Sequence, residues 1–167
     1  MFKKFYISSS ISIILIIFIS SFSKTNYINY CYPIKNNYNI SSYFGMRILY
    51  NKPNFHNGID IPAIENTKIY CIENGIIQYI GFDHNGYGNY IIVLHNNSYK
   101  SLYGHLSENM ILTIGDKINK GQLLAYVGPK ILSNGKSNGS TTGSHLHFTV
   151  YDNNSKIIDP LTLKYEK

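Results

Sequence analysis

The apolar positions divide the chain into two textures. Lys3 and Lys4 precede an almost unbroken apolar and serine stretch over residues 5–22, densest at 11–19. From residue 40 onward the apolar runs are short, rich in isoleucine, valine and tyrosine, and cut by glycine and asparagine. Runs of that length and composition, bounded by turn residues, predict β-strands. The candidate strands span 68–72, 75–81, 90–94, 100–105, 122–127 and 145–151. Turn chemistry separates them at Glu73-Asn74-Gly75, Asn85-Gly86 and Lys120-Gly121. No window of a dozen residues repeats apolar positions at helical spacing, and only 106–110 suggests a single helical turn. Short connections between close strands predict a mainly β domain with a largely antiparallel sheet.

The first texture has a different meaning. A short basic region before an apolar run is the pattern of a secretory signal, and Ser21 and Ser23 put small residues where a signal peptidase cuts. The run also approaches bilayer-spanning length, so residues 1–23 are read as a signal peptide or a membrane anchor. Both readings export the remainder beyond the cytoplasmic membrane, to the periplasm, the cell wall or the medium. Residues 24–39, polar and tyrosine-rich, are expected to form a linker, and residues 40–163 the folded domain.

One stretch breaks the strand rhythm. Residues 129–144 are long, polar and loaded with glycine, serine and asparagine, and they end at a histidine pair. A long loop in a compact domain is usually either functional or disordered, and because this one ends at the histidine pair it is expected to wall the site.

Six histidines are present, and their arrangement carries the chemistry. His56 and Asp60 form H-x-x-x-D, with Gly58 between them. His145 and His147 form H-x-H. On a strand, residues two apart share a face, so both imidazoles project together while Leu146 and Phe148 face the core. Imidazole nitrogens with one carboxylate oxygen suit Zn²⁺, and a catalytic zinc takes three protein ligands. His56, Asp60 and one histidine of the H-x-H pair make three; spacing alone leaves open which one. The other, with His105 in Leu102-Tyr103-Gly104-His105-Leu106, is then available to move a proton. Tyr50 and Tyr103 are candidate hydroxyl donors to developing negative charge. His95 reads as structural and His84 as an exposed turn residue.

These pieces sit within a longer series of blocks. Tyr43-Phe44-Gly45-Met46-Arg47 precedes His56-Asn57-Gly58-Ile59-Asp60-Ile61. Glu73-Asn74-Gly75-Ile76-Ile77, Gly86-Tyr87-Gly88-Asn89-Tyr90 and Leu102-Tyr103-Gly104-His105-Leu106-Ser107 follow. Lys120-Gly121-Gln122, Thr142-Gly143-Ser144-His145-Leu146-His147-Phe148 and Asp159-Pro160 complete the series. In this order, over residues 41–161, the chain resembles the M23 peptidases, the lysostaphin-type or LytM-domain metalloendopeptidases. The resemblance implies an antiparallel sheet crossed by an extended substrate groove. It implies zinc held by His56, Asp60 and His147, with His105 and His145 as the catalytic pair. It also implies an endopeptidase that hydrolyses peptide cross-links of bacterial peptidoglycan, through stem peptides or their bridges. The chain departs from the simplest family pattern in the length of 129–144 and in Ser144, where proline is common.

Charge and cysteine content change this picture little. The net charge of +6 is spread thinly and favours an anionic partner such as the cell wall. No basic cluster interleaved with aromatics appears, so no nucleic-acid partner is expected. A membrane enters only through an uncleaved N-terminal anchor. Cys31 and Cys71 lie in a segment delivered to a disulfide-permissive compartment, but Cys71 sits in an apolar run and reads as a small core residue. Two other readings remain: a module of this fold that activates other wall hydrolases, and a peptidase of glycine-rich proteins.

Overall fold

A computed structural model describes residues 29–166. The 1–23 signal or anchor segment lies outside the described residues. The domain is mainly β and antiparallel, as the strand texture predicts. Its strands are β1 (Gly45–Leu49), β2 (Lys52–His56), β3 (Ile59–Pro62), β4 (Lys68–Tyr70), β5 (Gly75–Asp83) and β6 (Gly88–His95). They continue as β7 (Lys100–Gly104), β8 (Lys117–Ile118), β9 (Leu123–Tyr126), β10 (His145–Tyr151) and β11 (Ile157–Ile158).

The main sheet runs β11-β10-β7-β6-β5-β8, with β3 also paired to β10. Both β3 and β11 use one edge of β10, β3 along its first half and β11 at its end. A β1-β2 hairpin and a β4-β9 pair form two smaller sheets. Alternation explains β10: Leu146, Phe148 and Val150 are fully buried on one face, while His145 and His147 project from the other. The core beneath the sheet is aliphatic, with Ile59, Ile61, Ile69, Ile77, Ile91 and Val93 excluded from solvent.

Five strands escaped the pattern reading, β1, β2, β3, β8 and β11, and the first three frame the site. In β1, Met46 and Ile48 are strongly exposed, so the apolar alternation points outward and mimics a surface loop. Strand β2 carries Lys52, Pro53 and Asn54, which dilute any apolar signal. Strand β3 alternates cleanly, with Ile59 and Ile61 buried on either side of Asp60, but is only four residues long.

The tether expected over 24–39 is corrected over its described part. Tyr30, Tyr32 and Ile34 are buried within the core cluster. The Tyr30 N–H donates to Lys164 O and Glu166 N–H donates to Tyr30 O, both at 2.8 Å. Tyr32 meets Tyr165 edge to face, with ring centroids 5.0 Å apart. Tyrosine buries a large ring while keeping a polar end, so a tyrosine-rich segment reads as polar yet packs as apolar. The domain therefore begins before residue 40 and extends past 163. Residues 106–110 form no helical turn; Leu106 instead bridges Val127. Cys71 is buried and Cys31 half-buried, both as free thiols.

Candidate metal and catalytic site

Strand register assembles the site. On β10, His147 lies opposite Asp60 of β3 on one side and Gly104 of β7 on the other. His56 ends β2, opposite Gly45. Gly58 between them serves close approach: a side chain there would overlap the Phe148 carbonyl and Thr149 Oγ1 of β10. The short His56-to-Asp60 link can thus press both residues against His147.

Three atoms converge. His56 Nε2 lies 3.1 Å from Asp60 Oδ1 and 3.1 Å from His147 Nδ1, and His147 Nδ1 lies 2.9 Å from Asp60 Oδ1. The far side of the His56 ring fixes what faces inward, and that of the His147 ring is compatible with the same arrangement. His56 Nδ1 donates to the Tyr43 carbonyl at 2.9 Å, and His147 Nε2 is 3.0 Å from Thr149 Oγ1. A neutral imidazole whose outer nitrogen carries the proton presents a lone pair from its inner one. Two lone pairs and a carboxylate oxygen aimed at one point repel each other unless a cation or a proton lies between them. Such outer hydrogen bonds are how proteins orient metal-ligating histidines. His56, Asp60 and His147 therefore fit a metal ion, and nitrogen with carboxylate oxygen suits zinc.

The electrostatics agree. Burial alone would raise the Asp60 pKa, but the close contacts with His145, His147 and His56 outweigh it and hold the carboxyl far below the usual range. His147 is also lowered, because nearly complete burial of its ring outweighs the pull of Asp60. An ionised carboxylate beside a neutral imidazole is the protonation state that binds metal. Arg47 Nη1 sits 3.4 Å from Asp60 Oδ2 and 2.6 Å from Ser42 Oγ, so it pairs with that carboxylate.

His105 and His145 flank the cluster, with ring centroids 4.6 Å apart. His105 Nδ1 donates to Asn138 O and His145 Nδ1 to Gly143 O, each at 2.8 Å. His145 Nε2 is 3.5 Å from Asp60 Oδ1. Their environments push them apart: burial, then repulsion from His145, lowers His105 to about 4. For His145 burial opposes protonation, but Asp60 prevails and the pKa is raised.

An open cavity of about 350 Å³ lies over these groups, walled by Arg47, Tyr50, Tyr87, Ser140 and Thr142. The loop 129–144 thus contributes a wall, as expected. Tyr103 does not reach the cavity: it is fully buried, its hydroxyl accepting from Ile72 N–H at 3.1 Å and meeting Ser101 Oγ at 3.0 Å. Its place on β7 explains this, because the residue opposite Phe148 shares that residue's core-facing side. Tyr50 does line the cavity. Pattern reading missed Tyr87, whose ring lies 5.3 Å from that of His147 and whose hydroxyl meets Asn57 Nδ2. Its signals were its place in the Gly86-Tyr87-Gly88-Asn89-Tyr90 block and in a turn between two strands, neither of which distinguishes a wall from a surface loop. His84 is an exposed turn residue packed on Phe82, and His95 is buried away from the site.

Residues 54–160 match the model of Peptidase family M23. The chain belongs to that family. It is 31% identical over 122 residues to the peptidoglycan DD-endopeptidase ShyA of Vibrio cholerae, covering 71% of this chain and 26% of ShyA. The catalytic domain of the antimicrobial peptidase lysostaphin from Staphylococcus simulans superposes with a TM-score of 0.64 at 28% identity, covering 76% of this chain and 92% of that domain. A zinc-containing peptidase from Vibrio cholerae gives a TM-score of 0.63 at 27% identity, covering 79% of this chain and 39% of that one. The chain spans only 21% to 33% of the length of the first curated relatives it matches.

Proposed function

We propose that this M23 domain is a zinc metalloendopeptidase that hydrolyses peptide cross-links of bacterial peptidoglycan. The observation that carries the reading is the convergence of His56 Nε2, Asp60 Oδ1 and His147 Nδ1 with their outer nitrogens already engaged. In this reading those three residues hold zinc, which polarises the scissile carbonyl and activates water.

The chain's own residues supply the proton handling. His105, held neutral down to about pH 4 by burial, takes a proton from the attacking water through Nε2, its Nδ1 being engaged by Asn138 O. His145, whose pKa Asp60 raises against the effect of burial, donates from Nε2 to charge developing on the carbonyl oxygen. Two imidazoles this close share one charge between them, and pairs separated in this way divide base and acid roles. Tyr50 and Tyr87 wall the groove on which an extended peptide lies.

Peptidoglycan as substrate is supported by the relatives' names, including a peptidoglycan DD-endopeptidase and lysostaphin. The complete donor set disfavours a purely scaffolding module. Export is supported by Lys3, Lys4 and the apolar run behind them, with a membrane involved only if that segment is retained as an anchor.

The test is mass spectrometry of material released from purified peptidoglycan by the zinc-loaded protein. Opened D,D cross-links or cut glycine bridges are expected, and the fragment masses say which. A folded, zinc-bound protein that releases neither, and leaves glycine peptides whole, refutes the peptidase reading.

A further inference from the structure

Asn138 lies within the loop 129–144 and is fully buried. Its carboxamide is saturated: Oδ1 accepts from Asn89 N–H at 2.9 Å, and Nδ2 donates to Leu106 O and Pro129 O, each at 3.1 Å. Its N–H donates to Lys130 O at 2.9 Å. One side chain thereby ties together the start of β6, the residue after His105 and the start of the loop. Two glycines allow this approach. A side chain at Gly88 would overlap Asn138, and one at Gly139 would overlap the Gly88 backbone.

The Asn138 carbonyl is the partner of His105 Nδ1 at 2.8 Å. A carbonyl only accepts, so the ring proton sits on Nδ1 and the lone pair on Nε2. The His105 backbone is held from both sides as well, its φ of +57° lying in the left-handed region. Its N–H donates to Tyr87 O at 2.6 Å, and its carbonyl accepts from Gly128 N–H at 2.8 Å. Ring orientation thus depends on where the Asn138 carbonyl stands, and the saturated carboxamide fixes that place.

We propose that Asn138 is a positioning residue: its buried carboxamide sets its own main-chain carbonyl, which locks His105 in the Nδ1–H tautomer with Nε2 toward the reacting groups. This rests on the role given to His105 above.

The experiment combines kinetics with NMR of ¹⁵N-labelled histidine side chains in the zinc-loaded protein. In the wild type His105 is expected in the Nδ1–H form. Asn138→Ala should introduce the Nε2–H form and lower kcat on peptidoglycan by about tenfold or more, with KM and zinc content unchanged. In a His105→Ala background the same substitution should cause no further loss. The proposal is overturned if Asn138→Ala keeps the Nδ1–H form with kcat within about twofold of wild type. It is equally overturned if the loss multiplies fully with that of His105→Ala, since the two residues then act independently. Should Asn138→Ala fail to fold, Asn138→Asp keeps the acceptor for Asn89, lacks both donors and is read by the same measurements. If wild-type protein cleaves nothing, the peptidase reading falls while the NMR spectra still decide the tautomer.

Discussion

Each site histidine is oriented by its outer nitrogen, through Tyr43 O, Asn138 O, Gly143 O or Thr149 Oγ1. Spacing placed His145 and His147 on one strand face, but it could not tell which one meets His56 and Asp60, because both project from β10 together. The distinction depends on β3, whose register sets Asp60 opposite His147, and that pairing leaves no trace in the local pattern. Another buried histidine, His95, shows the same chemistry without a site. His95 Nδ1 donates to Glu73 O at 3.1 Å, and its Nε2 lies 2.7 Å from Ser101 Oγ. Burial depresses its pKa, so its stabilising contribution is complete above the ordinary value of about 6.5 and is lost as the pH falls through the depressed one. Unfolding measured between pH 7 and pH 4 should show that loss. His95→Gln, which takes on no charge, should flatten this part of the curve; an unchanged slope would assign the acid loss elsewhere.

At the scale of elements, β5, β6, β7 and β10 of the main sheet were legible because they alternate or run apolar over five residues or more. The elements that frame the metal site were not. The β1-β2 hairpin turns Met46 and Ile48 outward, and β3 is too short to display a period. The segment before residue 40 misled for a chemical reason, since tyrosines and asparagines resemble linker composition while Tyr30 and Tyr32 pack against Tyr165. Tyr32 is 7% exposed. Removing a buried ring costs about 3–5 kcal/mol, so Tyr32→Ala should lower unfolding stability by about 3 kcal/mol. A tether residue would change it by less than about 0.5 kcal/mol, and denaturant unfolding separates the two.

Across the whole molecule, the site exists only when the sheet is complete. His56 and His147 are 91 positions apart in sequence, yet their nitrogens approach to 3.1 Å. Metal binding is thereby linked to folding, since the unfolded chain cannot present this donor set. The family resemblance was legible because its blocks survive in order; the three-dimensional reason for them lies in pairings that join distant strands. The site assignment is tested most directly by zinc content per chain in single alanine variants of His56, Asp60, His147, His105 and His145. Zinc should be lost from the first three and retained near one per chain, as one three-ligand site implies, in the last two, whose cleavage should nevertheless fall by about a hundredfold or more. Zinc retained by His147→Ala but lost from His145→Ala would contradict the assignment.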